Sequence, residues 1–168
     1  MTQDERLDFL IEAFKAESEE YKKICVPTER DGKRQFLRVL MNVRMPGPMS
    51  AEVLAVQDAY LRERAEEKGI VGLDEIPVIC DGLSIWQGDI TRLAVDAIVN
   101  AANSAMLGCF VPGHNCIDNC IQTYAGVQMR SECDRQMKLL KREYGQRYVQ
   151  PTAIPLLTDG YNLPAKKV

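Results

Sequence analysis

The sequence WQGDITRLAVDAIVNAANSAMLGCFVPGHNCIDNCIQTYAG, residues 86–126, contains an apolar run, a glycine-containing loop and a segment with helical periodicity. The run Ala97–Val99 is typical of a buried central strand. The loop spans residues 104–115, and beyond it apolar residues recur at the spacing of an amphipathic helix, at Ile117, Cys120, Ile121 and Tyr124. A strand, a loop and a helix in this order predict an α/β layer.

The residues on the N-terminal side of this stretch have the periodicity of helices. Leu7–Phe14 and Phe36–Val43 each carry an apolar stripe at helical spacing, and the proline and Asp-Gly pair within Cys25–Gly32 predict a break between them. Ser50 is a candidate N-cap for a third helix that ends at about Lys68. This region is therefore predicted to consist of three helices.

Short β-prone segments appear after residue 72. Val78–Cys80 and Leu83–Trp86 flank an Asp-Gly turn signal, and Thr152–Leu157 is a candidate edge or bulged strand because it contains a proline. We therefore expect a helical N-terminal extension over 1–72 and an α/β domain over 73–168.

Composition excludes several classes of partner. The chain has 168 residues, 46% hydrophobic and 27% charged, with a net charge of −3, which fits one globular domain with a small appendage. Its mild acidity gives no electrostatic reason to bind nucleic acid or an anionic membrane. Because no apolar stretch approaches membrane-spanning length and Met1–Lys15 lacks the pattern of a signal peptide, we expect a cytoplasmic protein with reduced cysteines.

Three residues in the loop have the side chains of a zinc site. Cys109, His114 and Cys116 follow the pattern C-x4-H-x-C, and His114 is the only histidine of the chain. Thiolate and imidazole ligands suit a tetrahedral zinc ion, and three protein ligands leave a fourth position open. The pattern alone is equally consistent with two reduced cysteines and an unrelated histidine. Cys120 is assigned to the apolar core, and the remaining cysteines are assigned structural roles.

Polar residues around the same loop are candidates for ligand binding. Asp118, at the predicted helix start, is either a first-turn carboxylate favoured by the helix dipole or a catalytic group. Asp89 is either a turn residue or a ligand-binding carboxylate. Asn100 and Asn103 follow the apolar run, at the sheet edge where α/β proteins bind ligands. Gly108 allows the loop backbone to approach a phosphate closely.

Together these residues resemble the macrodomain family. The motifs are GDIT, VDAIVNAAN and IDNxI, and the insertion CFVPGHNC is similar to the zinc-dependent branch of that family. The stretches Leu37–Leu61 and Gly160–Val168 also resemble that branch. The resemblance implies a three-layer α/β/α fold behind a helical extension.

The resemblance also implies a role for each candidate residue. Asp89 and the Ile90 amide would bind adenine, and Asn103, supported by Asn100, would hold the distal ribose. Asp118 would be the acidic catalytic residue, beside Asn103. Zinc would be held by the three loop ligands, Cys109, His114 and Cys116.

The implied activity is zinc-dependent hydrolysis of ADP-ribose from modified protein side chains, with a lipoyl-carrier protein as one candidate substrate. A binding module for ADP-ribose without turnover and an inactive fragment are the alternatives. The chain departs from the family at Gln122, where a histidine is frequent, because glutamine does not titrate near neutral pH. The family resemblance also predicts a longer domain, so we expect an incomplete sheet, a truncated product, a rearranged C-terminal segment or a second chain that supplies the remainder.

Overall fold

The computed structural model describes residues 1–168 and contains six α-helices and four short strands. The helices are α1 (Gln3–Lys15), α2 (Glu19–Lys22), α3 (Arg30–Val43), α4 (Ala51–Lys68), α5 (Ile117–Ala125) and α6 (Val127–Tyr144). The strands are β1 (Val71–Gly72), β2 (Val78–Cys80), β3 (Leu83–Ser84) and β4 (Leu93–Ala94). None of the helices combines the length and the apolar character that a membrane-spanning segment needs.

The N-terminal region is helical, as predicted. Helix α1 begins with a capping box, in which Thr2 and Glu5 bond to each other's backbone amides. Helix α4 begins at the N-cap Ser50, whose hydroxyl accepts a hydrogen bond from the Val53 amide, and ends before Gly69. The first core joins the apolar faces of α1, α3 and α4 to one residue of α6, and its members are Leu7, Leu10, Ile11, Phe14, Leu37, Leu40, Met41, Tyr60, Leu61 and Val127.

Helix α3 corrects two details of the sequence prediction. It begins at Arg30, so the Asp-Gly pair at residues 31–32 lies inside its first turn. The negative charge of Asp31 interacts favourably there with the positive end of the helix dipole. Its buried residues are Leu37, Leu40, Met41 and Asn42, so Leu40 is the one buried member of the predicted stripe and Phe36, Val39 and Val43 are half-buried. The reason is that α3 packs against α1 on one side and against α5 on the other, so a single stripe does not describe its buried surface.

The strands form two small sheets. Strands β2 and β3 pair antiparallel across the predicted Asp-Gly turn, whose residues Asp81 and Gly82 both have positive φ, as a type I′ turn requires. Strand β3 ends at Ser84, before the predicted Trp86. Strand β1 pairs in parallel with β4, with Val71 opposite Leu93. This pairing crosses residue 72, the predicted boundary between the helical extension and the α/β domain, and that boundary stays a prediction.

The apolar run at residues 97–99 does not form the buried central strand predicted from the sequence. Ala97 makes an isolated parallel bridge with Lys167, and the Ile98 amide donates to the Lys167 carbonyl at 3.1 Å. Ile98 is buried, whereas Val99 is 83% exposed. The run is paired along one edge only, so hydrophobicity along the sequence overstated its burial.

Residues 152–157 also form no strand. Prolines at 151 and 155 lack the backbone amide that a strand ladder needs, and Ala153 adopts a positive φ of 65° within a turn. The segment instead leads to residues 158–168, the C-terminal strap, in which the Thr158 and Val168 backbones exchange hydrogen bonds.

A second core lies beside the loop at residues 104–115. It joins α5 and α6 to the C-terminal strap and to Ile98, and its members are Ile98, Ile121, Ala125, Met129, Cys133, Leu163 and Ala165. The protein thus combines helices and two small sheets with a helical N-terminal region, and the predicted α/β class is confirmed. Because α3 and the second core both contact α5, they fix the start of the helix that carries Asp118.

Candidate functional site

The three predicted metal ligands lie together. The ligand atoms of Cys109, His114 and Cys116 are all within 4.8 Å of one another, and the Cys109 sulfur lies 3.4 Å from His114 Nδ1. The two cysteines are half-buried and the histidine is exposed. Two sulfurs and one imidazole nitrogen at these separations fit the donor set that zinc prefers.

Local backbone geometry explains how the loop brings these residues together. Gly108 and Gly113 have positive φ values of 81° and 66°, which let the chain turn beside Cys109 and His114. Cys116 is the N-cap of α5, and its sulfur accepts a hydrogen bond from the Asn119 amide at 3.4 Å. The third ligand is therefore attached to the rigid end of a helix.

The electrostatics of Cys116 favour a positively charged ligand. Burial raises the pKa of the Cys116 thiol, the Asn119 amide opposes this rise, and the nearby Cys109 thiol and Asp118 carboxylate add to it. Without a cation, the sulfur is held in its neutral form. A divalent metal at this position would reverse the balance, because a coordinating thiol loses its proton.

Asp118 and the two predicted asparagines form a second cluster. Its members flank the metal loop, residues 109–116, with the asparagines before it in the sequence and Asp118 after it. Asn100 donates to one Asp118 carboxylate oxygen at 2.9 Å, and Asn103 approaches the other at 3.4 Å. Asn103 also donates to the Gly108 carbonyl at 3.0 Å, which links this cluster to the residue before Cys109. Asp118 is 5% exposed, so a carboxylate is held inside the protein by two amide groups.

Gly108 is confined by its neighbours. A Cβ atom at this position would come within 2.8 Å of Gln122 Cγ. The residue is buried and does not line the large cavity described below. Its predicted place beside a phosphate stays a prediction.

An open cavity of about 620 Å³ adjoins the Asp118 cluster. Its wall includes Asn100, Asn103 and Gln122, together with apolar residues of the 97–106 and 151–157 segments. Two buried acceptors in this wall, Asn100 Oδ1 and Gln122 Oε1, have no hydrogen-bond partner in the protein. Because unpaired buried acceptors are costly, the wall is suited to a ligand that donates hydrogen bonds, such as one with hydroxyl groups.

Asp89 and Ile90 lie apart from this cavity. Asp89 caps a short 3₁₀ helix, accepting hydrogen bonds from the Thr91 amide and hydroxyl, and its other oxygen lies 3.2 Å from Lys68 Nζ. Burial alone would raise the pKa of Asp89, but the Thr91 hydrogen bonds and the Lys68 charge outweigh it and lower the pKa. The predicted turn is present, and the carboxylate side chain remains 40% exposed.

The other cysteines differ in their surroundings. Cys120 is half-buried beside Arg38 rather than within the core predicted for it, because the core-facing positions of α5 are Ile121 and Ala125. Cys133 is buried, and burial raises the pKa of its thiol to about 11. Cys25 and Cys80 are exposed.

Sequence reasoning missed the residues that surround the metal loop from outside. Arg38 and Asn42 on α3 and Asn119 on α5 hydrogen-bond to the loop, and both asparagines are fully buried. Asn42 lies in the last turn of α3 and Asn119 in the first turn of α5, and asparagine is common near helix ends. Neither position therefore carried a local signal of the tertiary contacts.

Comparison with known families places this site in context. The family model described as Macro domain matches residues 99–168, which include the metal loop, Asp118 and the C-terminal strap. Together with the relatives below, this match supports the macrodomain family, and the α/β fold with its helical N-terminal region is macrodomain-like.

Two similar proteins share one name. A "Protein-ADP-ribose hydrolase" of Treponema medium is 46% identical over 172 residues, covering 100% of this chain and 64% of its own length. The protein of the same name from Staphylococcus aureus strain MRSA252 is 40% identical, covering 97% of this chain and 59% of its own length. The chain thus spans roughly three fifths of the length of these curated relatives.

Proposed function

We propose that this protein hydrolyses the bond between ADP-ribose and modified protein side chains, with zinc as its metal. The observation that carries the proposal is the adjacency of two clusters. The Cys109, His114 and Cys116 ligand atoms lie within 4.8 Å of one another, and the Asp118 carboxylate, two residues beyond Cys116, is held by the asparagines of the cavity wall. The printed names of the relatives support the same reaction class.

The loop residues would hold the zinc ion through two sulfurs and one imidazole nitrogen. When bound, zinc supplies Lewis-acid chemistry, polarising an oxygen atom or lowering the pKa of a water molecule towards neutrality. The loop lies next to the ribose-binding asparagines, because Asn103 bonds to the carbonyl of Gly108, directly before Cys109.

The Asp118 cluster would stabilise charge that develops on the ribose. Cleavage at an anomeric carbon passes through an oxocarbenium-like transition state, which a nearby carboxylate stabilises electrostatically. Asn100 and Asn103 fix the carboxylate, and the unpaired Asn100 oxygen would accept a hydrogen bond from a ribose hydroxyl. Asn100 would therefore bind substrate and orient Asp118 at the same time, while Asn103, in the same cavity wall, would hold the distal ribose as the resemblance implies.

Gln122 favours a second candidate function, the recognition of ADP-ribose without turnover. This residue lies one helical turn beyond Asp118 in the wall of the cavity, and its buried oxygen is unpaired. A glutamine accepts and donates hydrogen bonds but transfers no proton near neutral pH. If the protein is a hydrolase, Gln122 positions the substrate and another group transfers the proton. If the protein only binds ADP-ribose, the hydrogen bonds of Gln122 are sufficient.

The proposed substrate is an ADP-ribosylated protein. Within that class, the family resemblance makes a lipoyl-carrier protein one candidate, and purified carrier modified with ADP-ribose is the matching probe. A second polypeptide, one of the alternatives raised from the sequence, also stays a prediction.

Titration of ADP-ribose into the purified protein, with zinc quantified on the same sample, tests the proposal. We expect binding together with about one zinc per chain, because the loop offers one set of three ligands. Release of ADP-ribose from a modified protein then separates hydrolysis from binding alone. Zinc-free protein that still releases ADP-ribose, or zinc-loaded protein that does not bind it, would contradict the proposal.

A substitution at Asp89 tests the adenine assignment. We expect Asp89→Ala to weaken ADP-ribose binding by about 1.5–3 kcal/mol, the value of one hydrogen bond to a charged group. The same change removes the cap of the 3₁₀ helix and should lower stability by about 1 kcal/mol. Calorimetry and thermal unfolding separate the two effects. Unchanged affinity with reduced stability would assign Asp89 to the turn alone.

A further inference from the structure

Helix α3 of the N-terminal region contacts the metal loop through Arg38. The guanidinium group donates to the His114 carbonyl at 2.7 Å and to the Gly113 carbonyl at 3.2 Å. It also donates to the Asn115 side chain at 2.8 Å and approaches the Asn119 side chain at 3.3 Å. One side chain from a distant part of the sequence thus bonds to the backbone of a metal-ligand residue and to both of its neighbours.

Asn42, one helical turn beyond Arg38, contacts the same loop. Its side-chain oxygen accepts from the Gly113 amide at 3.1 Å and from the Asn119 side chain. Asn119 in turn donates to the carbonyls of Cys109 at 3.2 Å and Val111 at 3.3 Å. Asn42 and Asn119 both have 0% exposure, so these bonds are made in a dry environment where they are strongest.

The metal loop depends on these bonds because little else fixes its backbone. Residues 101–116 contain no helix or strand, and the only backbone hydrogen bond that His114 donates goes to Val111 within the same loop. The positions of Cys109 and His114 are therefore set by side chains of α3 and α5. Hydrogen bonds from a charged guanidinium to carbonyls are stronger than neutral ones, so Arg38 is the principal donor of this set.

We infer that Arg38 is a positioning residue for the metal, assisted by Asn42 through Asn119. The inference rests on the proposed zinc site. The helical N-terminal region thereby acquires a role beyond packing, because it pre-organises the ligands in the geometry that a tetrahedral ion needs. Residues that orient metal ligands without touching the metal commonly change metal affinity by about 10- to 100-fold when replaced.

Zinc affinity, measured by competition with a chromophoric chelator, tests this role. We expect Arg38→Ala to weaken zinc binding roughly 10- to 100-fold. Arg38→Lys should also weaken it, because a single ammonium group cannot reproduce the fork of donors that bonds to Gly113 and His114 together. Arg34→Ala is the matched control, since Arg34 lies one turn earlier on α3 and pairs with Asp31 and Glu67 rather than with the loop.

Cobalt substitution gives a second readout that a loss of packing alone would not change. The visible spectrum of bound Co²⁺ reports tetrahedral thiolate coordination, and we expect it to be altered in Arg38→Ala at metal concentrations that saturate the site. Thermal unfolding of the metal-free variants gives the temperature below which each variant remains folded. Both metal measurements are made below that temperature.

The outcomes separate this inference from the proposed function. A parent protein that binds neither Zn²⁺ nor Co²⁺ would overturn the proposed metal. A parent protein that binds zinc, with Arg38→Ala and Arg34→Ala both retaining its affinity and its Co²⁺ spectrum, would overturn the role of Arg38 alone. Weakened binding in both Arg38 variants, with the Arg34 control unchanged, would establish it.

Discussion

Cys116→Ala is expected to abolish stoichiometric zinc binding. The substitution leaves only Cys109 and His114 of the three ligands that lie within 4.8 Å of one another. Two ligands do not close a tetrahedral site, so the loss should exceed the roughly 10- to 100-fold that outer residues contribute to metal affinity. Elemental analysis after dialysis against metal-free buffer measures the effect directly.

Cys116 also caps α5, so a second variant is needed to separate fold from metal. Cys116→Ser keeps an oxygen that accepts the Asn119 amide, as a serine N-cap does, while removing the thiolate. We expect the serine variant to recover the thermal stability of the helix without recovering zinc. Cys120→Ala, one helical turn further on and outside the cluster, should keep its zinc. Full zinc content in Cys116→Ala would rule out the ligand assignment.

The helical part of the fold could be predicted because each signal was local. The stripe of Leu7, Leu10, Ile11 and Phe14 reports one face of one helix, and all four are buried in the first core. The cap of α4 and the Asp-Gly hairpin turn also depend only on adjacent residues. Such signals can be read from the sequence without knowing which surface each helix or strand packs against.

The strands and the buried face of α3 could not be predicted in the same way. Burial of residues 97–99 depends on how many strands pair with them, and the structure pairs them along one edge only, through Lys167. Helix α3 lies between α1 and α5, so its buried residues do not form a single stripe. Both properties belong to tertiary structure rather than to the periodicity of the sequence.

The candidate site shows the same division. Cys109, His114 and Cys116 are close in sequence, and the structure places their ligand atoms within 4.8 Å of one another, while their role as zinc ligands stays a prediction. The association of Asn100 with Asp118 links the end of the 97–99 run to the start of α5. The order of elements in α/β folds implies such a meeting, although the run forms only an isolated bridge and not the predicted strand. Arg38 lies more than 70 residues from His114, and no local pattern connects them.

Asp118→Asn is expected to lower the rate constant for ADP-ribose release by about 10²- to 10³-fold, the range that one group stabilising transition-state charge contributes. The replacement is nearly isosteric, so the side chain can still occupy its buried place, and its remaining oxygen can accept from Asn100. Its new amide group loses the Asn103 hydrogen bond, but Asn103 keeps the Gly108 carbonyl as a partner. It removes the negative charge that would stabilise a positive anomeric carbon, and that charge matters more in the transition state than in the bound substrate. The defect should therefore appear in kcat, with a much smaller change in the affinity for ADP-ribose.

Single-turnover release from an ADP-ribosylated protein, with calorimetry of ADP-ribose binding on the same preparation, measures the two quantities. Asp96→Asn is the matched control, because that exposed carboxylate pairs with Lys166 at the surface, 2.7 Å from its Nζ atom. If Asp118→Asn released ADP-ribose at the rate of the control, Asp118 would be a first-turn carboxylate that only stabilises α5 through the helix dipole. A rate defect with normal zinc content would instead separate the role of the carboxylate from that of the metal. The hydrogen bonds of Asn100 and Asn103 agree with such a separation, because they go to Asp118 and to the Gly108 carbonyl rather than to the three ligand side chains.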